Sequence, residues 1–384
     1  MLVAVTALAG CGQADPKPQA QPEPVPTPAV TSAPPTPTMD LLPGMPPPID
    51  TADVYAATNT FSAAVAGARE LVYVPHNGSH DIWVIDPKTY QVIDKFDGGK
   101  EPQHVVPGYD MRTLYATADE IPGGSLTPID PKTGKPGEVI HVQDPYNLYF
   151  TPDGRFAIVV AEAYKRLDFY EYPSWKPNKK LSVPECAGVN HMDFTADGKR
   201  ALVTCEFANK MIVVDVATME QVGSFTLDQV ANGMPQDSRL SPDGKRFYVA
   251  DMMANGVYVF DGNADRQIGF IPTGRGAHAV YFSRDSKRMF VTNRGEGTIT
   301  VLDPVTGAKT GKWTIPGGGS PDMGSLSADG TRFWVSGRYH NEVYVFDTTS
   351  GELVKRIPVG SGPHGLTYWP QPGRYSLGHT SNIR

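Results

Sequence analysis

One pattern constrains this 384-residue chain more than any other: a strand–turn–strand unit that recurs, copy after copy, from Leu71 to Trp369. Its turns read TPDG (Thr151–Gly154), TADG (Thr195–Gly198), SPDG (Ser241–Gly244), SRDS (Ser283–Ser286) and SADG (Ser327–Gly330). Asp-Gly between apolar runs is a strong hairpin signal. The strands after the turns read IVVA, LVTC, YVAD, FVTN and WVSG, and the next ones end in Asp, as in MIVVDV, VYVFDG, ITVLDP and VYVFDT. The residue five before each turn Ser/Thr marks the period: Tyr146, Asn190, Gln236, His278 and Asp322, with Gln103 and His364 matching at the ends. Successive steps are 43, 44, 46, 42, 44 and 42 residues. Repeated four-stranded units of this length specify propeller blades.

The seven marked positions predict an all-β fold, a seven-bladed β-propeller. Its ends complement each other. HGLTYW (His364–Trp369) supplies only a first strand, whereas LVYVP, IWVID and QVIDKF supply the other three. A closing blade shared between the N- and C-terminal strands pairs edges that would otherwise lie open.

Three segments follow: residues 1–11 as a signal, 12–50 as a spacer and 51–384 as the propeller. MLVAVTALAG is short, apolar and ends in small residues, which reads as an export address. Leu8-Ala9-Gly10-Cys11 resembles the lipobox of bacterial lipoproteins, and the likeness implies a lipid on Cys11 and a membrane-anchored protein at the cell envelope. The Pro-, Ala- and Thr-rich stretch after it has too little apolar surface to fold and reads as a semi-rigid tether. The net charge of −7 disfavours a nucleic-acid partner. No C-x-x-C-H site for covalent haem occurs, nor an apolar run long enough to span a bilayer as a helix.

The repeat resembles the YVTN-repeat, YncE-like propellers of bacteria, with FVTN at Phe290 nearest the family's motif. Phrases such as SPDGKRFYVADMMANGVYVFDG and the ending PHGLTYWPQPGRYSLGHTSNIR resemble an exported lipoprotein branch of that family. The resemblance implies the fold and carries no assigned activity.

Propeller topology brings the starts of the first strands and the ends of the second to one face, the top. Candidate ligand residues there are His104, Asn147, Glu162, His191, Glu206, Asp251, His278, Arg294, Asp322, Arg338 and His364. Acids cluster on blades one to four, and Arg294 and Arg338 follow on blades five and six, which predicts a funnel acidic on one side and basic on the other. Converging polar groups in a concavity mark a binding site. The histidines at 104, 191, 278 and 364 lie on alternate blades and are not expected to cluster; a compact metal set would be Glu162, His191 and Glu206. Imidazole with carboxylate admits a divalent metal as cofactor. Cys186 and Cys205 fall at the top of one blade and are expected to form a disulfide. The favoured function is a monomeric cell-envelope binding module for a small ligand, a metal ion or a partner protein. The alternative is a metal-dependent, lactonase-like hydrolase, because FVTNRGEGTITVLD (Phe290–Asp303) resembles a strand of the lactonase propellers.

Overall fold

The computed structural model describes residues 39–380 and 382–384; Cys11, the signal and most of the spacer lie outside them. Seven antiparallel sheets make the blades. First strands run Pro102–Pro107, Pro145–Phe150, Val189–Phe194, Pro235–Leu240, Ala277–Phe282 and Pro321–Leu326, buried along almost their whole length. The outer strands instead alternate exposed and half-buried residues, as Gln91–Asp97 does, because only one of their faces meets a neighbouring blade. In the first blade the outer strand is broken into Lys135–Pro136 and Ile140–His141, both paired with Ser125–Asp130.

The ring closes as the sequence predicts. Thr367–Trp369 pairs with Leu71–His76, matching Leu71 to Trp369, Val72 to Tyr368 and Tyr73 to Thr367. Each repeated turn is built from its own sequence. The Ser or Thr hydroxyl donates to the Asp two residues on, at 2.6 Å in Thr151–Asp153 and in Ser241–Asp243. It also accepts the amide five residues on, as from Phe156 and Arg246. The turn then needs a left-handed residue, supplied by Gly154 (φ 71°) and, where the repeat departs from Asp-Gly, by Ser286 (φ 56°).

A second repeated device matters more for function. The register shifts near the top of the first strands, between Val189 and Met192 for example, so that two residues face one on the second strand. The hydroxyl of the second-strand Thr catches the freed amide: Thr117 takes that of His104 at 3.1 Å, Thr204 that of His191 at 2.9 Å, and Thr292 that of Ala279 at 3.0 Å. Such bulges re-aim side chains. Here they turn two consecutive residues, Gln103 and His104 or Asn190 and His191, toward the channel.

Two segments flanking the repeats join the fold. The folded part reaches back into the spacer: Leu42 is buried in the core, its amide donates to the Asp197 carbonyl at 2.8 Å, and Asp40 pairs with Lys199 at 2.6 Å. A chain of prolines can still contribute a buried side chain where one apolar residue meets a crevice. More consequentially, residues after Trp369 enter the ring. They fold back on themselves, with Arg374 donating to the Arg384 carbonyl and Leu377 to that of Asn382, and fill the channel from the bottom. The Phe150 amide donates to Leu377 at 3.0 Å, and the His379 amide to Leu148 at 3.0 Å. Tyr55, on the segment that precedes the first blade, lies across Arg384 with 4.5 Å between guanidinium and ring, and covers this plug from below. Among the described residues no helix is long and apolar enough to cross a membrane.

Candidate functional site

The top of the channel has two layers. The upper one, the mouth, carries Asp119, Glu162, Glu206 and Arg338, all partly exposed. Asp119 accepts from Gln103 at 3.0 Å and Glu206 from Asn190 at 2.6 Å. Gln103 also takes the Arg338 guanidinium at 3.5 Å, linking acid and base sides. The Glu162 carboxyl has no hydrogen-bond partner among the described residues. Burial, then the nearby Glu206 and Asp119, raise its pKa well above the usual carboxylate range. Burial also raises Glu206, and pushes Asp119 up to about 7 against the pull of the Gln103 hydrogen bond. The buried Tyr146 forms the floor, within electrostatic reach of Glu162, Glu206, Arg338 and Arg294.

Two expected mouth residues are committed elsewhere. Asp251 is fully buried, and one of its oxygens accepts the amides of Met234, Met253 and Ala254, so it fixes a loop. Arg294 is buried and spent on Asp322, at 2.9 Å from Nε and 2.6 Å from Nη2, and it also donates to His278. The acid–base polarity of the mouth therefore rests on Arg338.

The lower layer overturns one expectation. The histidines do come together, because the channel is narrow here and the bulges aim His104 and His191 across it. Ring centres lie 5.4 Å apart for His104–His191, 4.6 Å for His104–His364 and 6.0 Å for His278–His364. A fifth imidazole, His379 at the tip of the plug, sits 4.6 Å from His191 and 5.5 Å from His104. Nothing in the repeat pointed to it. The available signal was that SLGHTSNIR is surplus once the ring has closed, so it had to lie on a face or in the channel. Burial keeps these rings neutral: His104 is pushed down to about 3 and His278 to about 4.

Among the described residues two groups bring three ligand atoms within 4.8 Å of one another: His104, His191 and His379; and His278, Asp322 and His364. The anticipated Glu162–His191–Glu206 set is neither of them, since both carboxylates stand in the mouth and His191 lies fully buried below. The two groups differ in chemistry. Asp322 accepts from Arg294 and lies 2.8 Å from Nδ1 of His278, so its charge is already met by a cation. The all-imidazole group holds no charge. Asn147 lies between His191 and His379, its amide nitrogen 3.0 Å from Nδ1 of each.

Cys186 and Cys205 are bonded to each other, with their Cα atoms 4.7 Å apart. The bridge stands beside Thr204, the residue that fixes the His191 bulge.

Comparison with known proteins bears on the scaffold. The family description YNCE-like beta-propeller matches residues 38–180 and 229–372. Hydrazine synthase subunit beta of Kuenenia stuttgartiensis is 22% identical over 206 residues, covering 41% of this chain; the match spans 53% of that protein, about half its length. Among solved structures, a functionally unknown protein from Desulfotomaculum acetoxidans aligns with a TM-score of 0.63 at 16% identity, over 77% of this chain and 99% of the other. A candidate 6-phosphogluconolactonase from Bacteroides uniformis aligns with a TM-score of 0.63 at 17% identity, over 78% and 99%. Structural likeness at such identities establishes the fold alone.

Proposed function

Because this chain belongs to the YNCE-like β-propeller family, a scaffold on which function resides in the site rather than the fold, we propose that it is a binding propeller whose mouth takes a small polar molecule bearing a carboxylate. One observation carries this reading: Glu162 stands without a hydrogen-bond partner among the described residues, in a mouth whose other side presents Arg338. A guanidinium matches a carboxylate in charge and geometry. Glu162 and Asp119, with raised pKa values, can donate as well as accept, which suits hydroxyl groups on the same ligand.

The test is a thermal-shift screen of hydroxy acids and amino acids against purified protein, followed by calorimetry. A stabilising compound should lose at least about tenfold in affinity in Arg338→Ala, in keeping with loss of a charge-assisted contact. Binding that is indifferent to both Arg338→Ala and Glu162→Gln would sink the reading.

A second reading, a metal-dependent hydrolase of the lactonase kind, draws on the same carboxyl. An acid held well above its usual range suits general acid–base catalysis near neutral pH. Lactone turnover abolished by Glu162→Gln or Glu206→Gln would favour it over simple binding. Placement at the cell envelope through a lipid on Cys11 completes the proposal. Cys11→Ser should then move the protein from the membrane fraction to the soluble one, because the tether itself has too little apolar surface to hold it there.

A further inference from the structure

We propose that His104, His191 and His379 form a binding site for a first-row transition-metal ion inside the channel, with the third ligand delivered by the plug. The site lies below the mouth and stands independently of what the mouth binds.

Four observations converge. The three imidazoles bring ligand atoms within 4.8 Å of one another, a spacing one ion can bridge. All three are essentially inaccessible to solvent, and Nε2 of both His104 and His191 has no hydrogen-bond partner. A buried polar atom left unpaired carries a desolvation cost, and a coordinated ion would remove it for both at once.

The tautomer of His104 is set as a metal ligand requires. Its Nδ1 lies 2.8 Å from the carbonyl of Tyr146, which can only accept. The ring proton therefore sits on Nδ1, and Nε2 keeps a free lone pair directed away from that carbonyl. The groups behind the other two rings hold them in place. Tyr149 Oη lies 3.2 Å from Nδ1 of His191 and can accept its N–H, leaving Nε2 to the ion. Asp237 lies 3.4 Å from Nε2 of His379 and can accept that one, leaving Nδ1. The Asn147 amide, whose nitrogen donates toward Nδ1 of both rings, gives way when an ion binds. Such outer contacts orient ligands and tune their basicity.

The donor set selects the ion. Three neutral imidazoles without a carboxylate suit zinc, copper, nickel or cobalt and are poor ligands for magnesium or calcium. The neighbouring His278–Asp322–His364 group is a weaker competitor, because the Arg294 guanidinium already occupies the carboxylate. Cys186 and Cys205 are bonded to each other and offer no thiolate. With the bottom of the channel filled by the plug, the ion enters from the mouth.

The test uses untagged, full-length protein stripped with chelator, then equilibrated with Zn²⁺ or Co²⁺ alone and desalted. About one equivalent should be retained, as for a closed histidine site. Cobalt should give visible absorption bands of an imidazole-bound ion. His379→Gln removes one ligand from a segment outside the blades, so the ring should still fold. It should lower affinity at least about 100-fold and abolish the cobalt bands and the metal-induced rise in melting temperature. His104→Gln should do the same. His141→Gln, a surface change, should bind as the unaltered protein does. Retention of no metal by the unaltered protein would overturn the proposal. So would unchanged affinity in His379→Gln, or loss of binding in His364→Gln alone, which would place the ion in the other group.

Discussion

Arg384 donates to the carboxylate of Asp193 at 3.0 Å, inside the channel and 191 positions along the chain. Asp193 is fully buried, and its same oxygen takes the Asn382 side chain at 2.8 Å while the other accepts the Leu240 amide at 2.7 Å. This carboxylate is the anchor of the plug. Removing one member of a buried ion pair leaves the other uncompensated. Asp193→Asn should therefore destabilise the protein by about 3–5 kcal/mol, read as a lower denaturation midpoint. A change below about 0.5 kcal/mol, the level of ordinary surface substitutions, would show that the plug contributes little.

Gly378 precedes the His379 tip with φ at 98°, and a Cβ there would meet the Leu148 carbonyl oxygen at 2.4 Å. Gly378→Ala is thus expected to push the tip away from the blade. The cost should be about 1–3 kcal/mol, and exchange of the His379 amide, now bonded to Leu148 at 3.0 Å, should accelerate. Unchanged protection of that amide would contradict the close approach.

The disulfide closes a loop spanning 19 positions within one blade. Chain entropy assigns such a loop about 3 kcal/mol. Reduction should lower the melting temperature and loosen Thr204 and the His191 bulge beside it. Fluorescence melts with and without reductant provide the comparison, and coincident curves would argue against a stabilising role.

Asp119 gives the mouth a pH signature. Its folded pKa, about 7, exceeds the unfolded value near ~3.9. Between those values the folded state holds a proton that the unfolded state has released, so this group's contribution is complete at low pH and is lost as pH rises toward 7. The slope is at most about 1.4 kcal/mol per pH unit. Buried neutral histidines such as His278 act in the opposite sense as pH falls below their unfolded value. The comparison must therefore be between the unaltered protein and Asp119→Asn: the stability of the unaltered protein relative to the variant should be highest at low pH, fall as pH rises toward about 7 and level off above it, where the neutral variant is relatively favoured. A pH-independent difference would mean that Asp119 titrates normally.

The ring was legible in the sequence because its signals repeat. Thr151, Thr195, Ser241, Ser283 and Ser327 all perform the same turn chemistry, so one local cue was read five times over. The position of Gln103, Tyr146 and Asn190 at the top followed from topology. What each residue does there did not. Asp251 and Glu206 fall at neighbouring positions of adjacent blades, yet one caps a loop and the other faces the mouth, a difference set by which amides lie nearby. The clustering of His104 with His191 needed the bulge and the channel's width, neither of which a residue period reports. His379 and Arg384 occur in a single-copy segment, where no repeat could amplify the signal. Leu42 shows the same limit, since one buried side chain among prolines leaves no periodic trace.

The closing blade has a consequence for how the molecule is made. Hairpins within a blade join residues close in sequence, whereas Tyr368 donates to Glu70 at 2.5 Å across 298 positions and Thr367 donates to Val105 at 2.5 Å across 262. Contacts of such separation cost more chain entropy to form and slow folding. Individual blades can thus acquire their hairpins early, but the channel exists only after the circle has been joined. The histidine chamber, assembled from four blades and the plug, is a late product of folding, and the integrity of the whole ring is reported at its axle.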